Sequence, residues 1–77
     1  MNYNLYFLPA NRGPEFIKTF HTFSENEIFA TIHADIKNRN PKFKSYYTRS
    51  WGDLNSDGIM YDVGSHTEFY KIKKEES

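Results

Sequence analysis

The sequence predicts an α+β fold, a single antiparallel-rich sheet of order ββαβββ with one helix packed on one face. Three observations carry this expectation. Alternating apolar residues recur toward both ends of the chain, a capping box opens a stretch of helical periodicity between them, and the links between elements are short. The opposite sheet face is left to solvent or to a partner.

Asn2 to Leu8 places Tyr3, Leu5 and Phe7 at alternate positions and stops at Pro9, which has no amide hydrogen to give a strand ladder. This segment reads as the first strand. Pro9 to Pro14, which includes Gly13, reads as a turn, and Glu15 to Phe23 as a second strand forming a hairpin with the first. In that strand Phe16 and Phe20 share a face with Lys18, while Ile17 and Phe23 share the other with His21. Both faces are therefore expected to be partly covered.

Ser24 followed by Glu27 is a capping box, the serine oxygen accepting the amide of the third helical residue while the glutamate reaches back to the cap. Ile28, Phe29, Ile32 and Ile36 recur at helical spacing, with Glu25, Asn26, Thr31, Asp35 and Lys37 toward water. Phe23 before the cap and Ile28 fit a hydrophobic staple. Asn38, Arg39, Asn40 and Pro41 end the helix, because a residue preceding proline is pushed out of helical geometry.

Period two returns from Phe43 to Trp51, the expected third strand, with Phe43, Tyr47, Arg49 and Trp51 on one side and Tyr46 and Thr48 on the other. Asp53 to Gly58 is turn chemistry, and Ile59 to Val63 is the fourth strand with Ile59, Tyr61 and Val63 aligned. Gly64 to Thr67 turns again, and Glu68 to Lys73 is the fifth strand. Residues 1–73 thus form one domain, and 74–77 a polar tail. Phe43, Tyr47, Trp51, Ile59 and Tyr61 are expected mostly beneath the helix. Tyr46, Arg49, Met60, Tyr70 and Tyr6 are left for the open face.

A chain of 77 residues without cysteine must be stabilised by apolar packing alone, and its seven Phe, six Tyr and one Trp supply it. Ten basic residues balance ten acidic ones, so the electrostatic footprint of a general phosphate-backbone binder is missing. The opening Met-Asn-Tyr-Asn-Leu-Tyr-Phe lacks the basic region and apolar run of a signal peptide, and no segment has the roughly 18 consecutive apolar residues that span a bilayer. A soluble cytoplasmic protein with no membrane contact is the expectation.

Four groupings invite a chemical reading. Asp53, Asn55, Asp57 and Gly58 match positions 1, 3, 5 and 6 of a calcium loop, but position 12, which should carry a bidentate glutamate, is Gly64. Hairpin chemistry accounts for this hexamer better. Ser65, His66 and Glu68 lie close in sequence, yet catalytic triads are assembled from distant residues beside an oxyanion hole, and nothing here supplies one. His21, His33 and His66 have no metal-ligand spacing. The expectation is therefore a non-enzymatic protein without cofactor or metal, with a calcium-binding or hydrolytic protein as the weakest alternative.

The fourth grouping combines planar rings, a guanidinium and a thioether on adjacent strands, residue types enriched at protein interfaces. Tyr46, Arg49, Trp51, Met60, His66 and Tyr70 are the candidate partner-binding residues. The alternative is stacking of single-stranded nucleic acid on the same face, with Lys42 and Lys44 joining Tyr46 and Arg49, a reading that zero net charge disfavours. Self-association through the sheet face or an edge strand is a further expected mode.

The run Tyr46-Tyr47-x-Arg49-x-Trp51, a polar turn, and Tyr61-Asp62-x-Gly64-Ser65-His66-Thr67-x-Phe69 resembles small uncharacterised accessory proteins of phages and prophages of Gram-positive bacteria, and the helix opened by Phe23-Ser24 fits the same pattern. The resemblance implies a protein that binds a host protein and inhibits or redirects it, for example a defence nuclease, in the host cytoplasm.

Overall fold

The computed structural model describes residues 1–44, 48–64 and 67–75. Its elements follow the predicted order: β1 (Tyr3–Leu8), β2 (Glu15–Phe20), α1 (Glu25–Arg39), β3 (Arg49–Asp53), β4 (Gly58–Asp62) and β5 (Phe69–Lys74). All pairings are antiparallel, and the strands lie side by side as β2-β1-β5-β4-β3. The last strand is thus inserted between the first hairpin and the second. That insertion joins the chain's two ends into one sheet and leaves β2 and β3 as edges.

Helix α1 starts where the sequence places it. Ser24 sits in extended geometry and its hydroxyl accepts the Glu27 amide, while Ile28, Ile32 and Ile36 form the buried stripe. They meet Leu5 and Phe7 of β1, Phe20 of β2, Tyr61 of β4, Val63, and Tyr70 and Ile72 of β5 in one core. At about 25 cal/mol per Å² of apolar surface, these ten buried side chains supply most of the drive to fold.

Three expectations are corrected. The second strand ends at Phe20, with His21 and Thr22 in a bend, instead of running to Phe23. The third begins at Arg49, not Phe43: the Phe43 amide donates to the Asn40 carbonyl at 2.9 Å, so the chain turns after Pro41, and Phe43 packs on the core from that turn. Residues 45–47, which that strand and its core placement of Tyr47 included, lie outside the described residues. Trp51 is not beneath the helix. It is 46% exposed, because Ser50 and Gly52, which occupy the alternate positions of β3, face the helix side, and β3 contributes no buried residue.

Asp35, expected in water, instead works at the core margin. The Tyr70 hydroxyl donates to Asp35 Oδ2 at 2.6 Å, and Arg39 Nε donates to the same oxygen at 2.6 Å. Arg39 also forks onto both Glu15 oxygens at 3.1 and 3.2 Å and stacks its guanidinium 4.0 Å above the Phe7 ring. One arginine thereby ties the helix C-terminal turn to β1, β2 and, through Asp35, β5. Its fork onto Glu15 is the first reason that carboxyl is held below the usual range.

Among the described residues, one buried side-chain group has no hydrogen-bond partner. The Tyr61 hydroxyl is buried without a hydrogen bond, its ring edge-on to Phe29 at 5.5 Å, and burial pushes its pKa up to about 12. Tyr61→Phe is therefore expected to be neutral or stabilising by up to about 1 kcal/mol in urea unfolding, and a loss larger than that would reveal a bond the hydroxyl makes. Tyr70 is also held above the ordinary phenol value, first by burial and then by its bond to Asp35. Both raised values mean stability that is intact below about pH 10 and lost as pH climbs through the folded-state values. Absorbance at 295 nm should show these two phenols ionising together with unfolding.

Candidate functional site: the open face of the sheet

The face away from α1 can be assembled rung by rung from the strand register. Tyr6 pairs with Phe16 on one side and Lys71 on the other, Lys71 pairs with Met60, and Met60 pairs with Trp51. Side chains opposite one another on a ladder share a face. Phe16, Tyr6, Lys71, Met60 and Trp51 therefore form one continuous row across all five strands. The neighbouring rung carries Leu8, Phe69, Asp62 and Arg49, with Leu8 paired to Phe69 and Asp62 to Arg49.

Ring geometry agrees with the register. Tyr6 meets Phe16 edge-on at 5.9 Å, and Trp51 meets Phe69 edge-on at 6.0 Å across the intervening β4. A shallow cavity of about 200 Å³ lined by Tyr6, Leu8, Pro14, Lys71 and Lys73 opens beside the row. It falls below the size of most small-molecule sites, about 300 to 1,000 Å³, and suits a single inserted side chain better.

Charge on this face is organised into pairs. Asp62 is fully buried, and its carboxylate accepts Arg49 Nη2 at 3.0 Å and the Gly64 amide at 2.8 Å. A buried carboxylate needs such partners, and in meeting that need it fixes Arg49 next to Trp51 with the arginine side chain still 62% exposed. Lys71 Nζ donates to Asp57 Oδ2 at 2.7 Å, with Lys73 3.9 Å from the other oxygen. The bond from Lys71 holds the Asp57 carboxyl below its ordinary range.

The candidate residues separate cleanly against this geometry. Arg49, Trp51 and Met60 stand together on the open face. Tyr70 does not belong with them: it is 0% exposed, on the helix side, because β5 alternates and Tyr70 shares its side with Ile72. Tyr46 and His66 lie outside the described residues. Lys42 and Lys44 are exposed in the link that leaves the helix, not on a strand. Phe16, Phe69 and Lys71 were missing from the candidate set, although Phe69 and Lys71 alternate with the buried Tyr70 and Ile72 and could have been placed from that pattern.

The calcium-like hexamer is a hairpin loop. The Asp53 carbonyl accepts the Ser56 amide at 3.0 Å, Asp53 Oδ1 accepts the Asn55 amide at 2.9 Å, and Asp57 holds two lysines. Among the described residues, no three His, Asp or Glu side chains converge on a metal-sized space, and no helix is long and apolar enough to cross a membrane. Comparison with known proteins found no matching family model, no matching curated protein and no matching solved structure.

Proposed function

We propose that this protein is a small non-enzymatic binding module that docks a protein partner on the open face of its sheet. The observation that carries the proposal is the uninterrupted five-strand row Phe16-Tyr6-Lys71-Met60-Trp51, flanked by Phe69 and Arg49. Phe16 and Trp51 at the two ends of the row are exposed and Tyr6, Lys71 and Met60 between them are partly exposed, and aromatic surface left to solvent on a small domain marks an interaction site. Trp, Tyr and Arg are also the residues that dominate binding energy at protein interfaces. The resemblance to phage and prophage accessory proteins would make the partner a host protein, with inhibition or redirection as the outcome.

The pairing of charges on this face argues for protein over nucleic acid. Asp57 offsets one of the two charges of Lys71 and Lys73, and Asp62 offsets Arg49, so these five groups keep a single net positive charge, little for a groove that tracks a phosphate backbone. Trp51 is the chain's single tryptophan, so its fluorescence reports the face directly. Titration with oligothymidylate or oligouridylate at low salt is expected to leave that emission unchanged. A salt-sensitive quench would favour the nucleic-acid reading instead.

Capture of a partner from host lysate tests the docking face itself. The Tyr6→Ser/Trp51→Ser double variant removes two rings from the row without touching the helix-side core, and should lose capture while keeping the wild-type circular dichroism spectrum. Undiminished capture by the folded double variant would contradict the assignment.

A further inference from the structure

We propose that β3 pairs antiparallel with β3 of a second copy, about a two-fold axis at Trp51, to give a continuous ten-stranded sheet. β3 is an edge strand whose five residues are all exposed, so one side of its backbone has no strand neighbour among the described residues. Its sequence, Arg49-Ser50-Trp51-Gly52-Asp53, is self-complementary in charge and size. In the centred register Arg49 lies opposite the partner's Asp53, and Asp53 opposite the partner's Arg49. Trp51 lies opposite the partner's Trp51, and Ser50 opposite the partner's Gly52.

Each of these matches has a physical meaning. Opposite charges directly across a ladder stabilise it and like charges oppose it, so a cation at one end and an anion at the other select antiparallel self-pairing. An edge defended against association carries charges that repel its own copy, whereas this one attracts it. Arg49 can face the partner's Asp53 without leaving Asp62, since its side chain is 62% exposed while it holds that carboxylate. On the helix side the paired positions are serine and glycine, the smallest residues of the strand.

The other edge lacks these properties. β2 carries an irregularity where it pairs with β1 between Leu5 and Tyr6, but β3 also departs from regular strand geometry, at Gly52 with φ 106°. Charge is therefore what separates the two edges: in a centred self-pair of β2, the exposed Lys18 would face Ile17 and Glu15 would face Phe20. The interface is isologous, as a two-fold dimer requires, and it would set the two aromatic rows end to end as one bivalent surface. Self-pairing uses the backbone edge and shares Arg49 and Trp51 with the docking face, but it does not depend on the function proposed above.

Light scattering over a concentration series tests the dimer, which should approach twice the 9.2 kDa chain mass and weaken with salt. Asp53→Lys places Arg49 opposite lysine at both ends and should raise the dimer dissociation constant about tenfold or more. In a chain with no native cysteine, Trp51→Cys should form an interchain disulfide under mild oxidation. Ser50→Cys should not, because its side chain lies on the other face and one step off the axis. A monomer at every concentration, a dimer indifferent to Asp53→Lys in the folded variant, or equal cross-linking at positions 50 and 51 would each overturn the proposal. Trp51 belongs to both surfaces, so single substitutions separate the two readings: Tyr6→Ser, on β1 away from this edge, should weaken capture and leave the dimer intact, whereas Asp53→Lys, outside the row, should weaken the dimer and leave capture intact.

Discussion

Tyr70→Ala is expected to destabilise the domain by about 3 to 5 kcal/mol, enough to leave a large fraction unfolded, since a chain of this length has only about 4 to 12 kcal/mol in total. The residue is fully buried, its ring lies 5.2 Å from Phe7, and its hydroxyl is 2.6 Å from Asp35. Truncation opens a cavity at the centre of the sheet and removes β5's link to the helix. Tyr70→Phe separates the two contributions. It keeps the ring and should cost only about 1 to 2 kcal/mol, because Asp35 retains its bond from Arg39. Urea unfolding of both variants checks this. Near-native stability of Tyr70→Ala would mean that this tyrosine is not a core residue.

Gly58→Ala is expected to cost about 2 to 4 kcal/mol through the backbone itself. Gly58 opens β4 at φ 101°, a left-handed conformation that side chains disfavour, and an added Cβ would stand 2.5 Å from the Ile72 carbonyl oxygen and 2.9 Å from Lys73 Cγ. The lysine chain can move, but the carbonyl belongs to β5, the strand that joins the two hairpins. Gly52 has the same constraint at φ 106°, where a Cβ would strike the Gly58 carbonyl oxygen. The two glycines let β3 and β4 twist past each other at the loop end of the hairpin. Gly58→Ala should lower the thermal midpoint by about 8 °C or more for a domain of this size, and an unchanged midpoint would contradict the close approach.

The helix and its packing were legible in the sequence because capping chemistry and period 3.6 are local: Ser24, Ile28, Ile32 and Ile36 needed no knowledge of the rest of the chain. Strand parity was less so. Period two says which residues share a face, not which face the helix covers, and in β3 the large residue turns away from the helix. Trp51 looked like core because large aromatics usually are, but β3 is the outermost strand and adds nothing to the buried cluster. Tyr70 could have been placed correctly, since it alternates with Phe69, Lys71 and Lys73 and keeps step with Ile72. The Asp35 to Arg39 pair is readable at i, i+4. Its extension to Glu15 and Tyr70, 24 residues from Arg39 and 35 from Asp35, depends on the tertiary fold and leaves no local signal. The same holds for the open-face row, which exists only once the register inserts β5 between β1 and β4.

Hydroxyl-radical footprinting of the complex captured from lysate tests the docking face most directly, because the row consists largely of the side chains that radicals oxidise fastest. Protection is expected at Trp51, Met60, Tyr6 and Phe16, with Met1, which is 76% exposed and outside the row, still reactive as an internal reference. Full reactivity of Trp51, Met60, Tyr6 and Phe16 in the complex, with protection instead at exposed helix positions such as His33, would contradict the account.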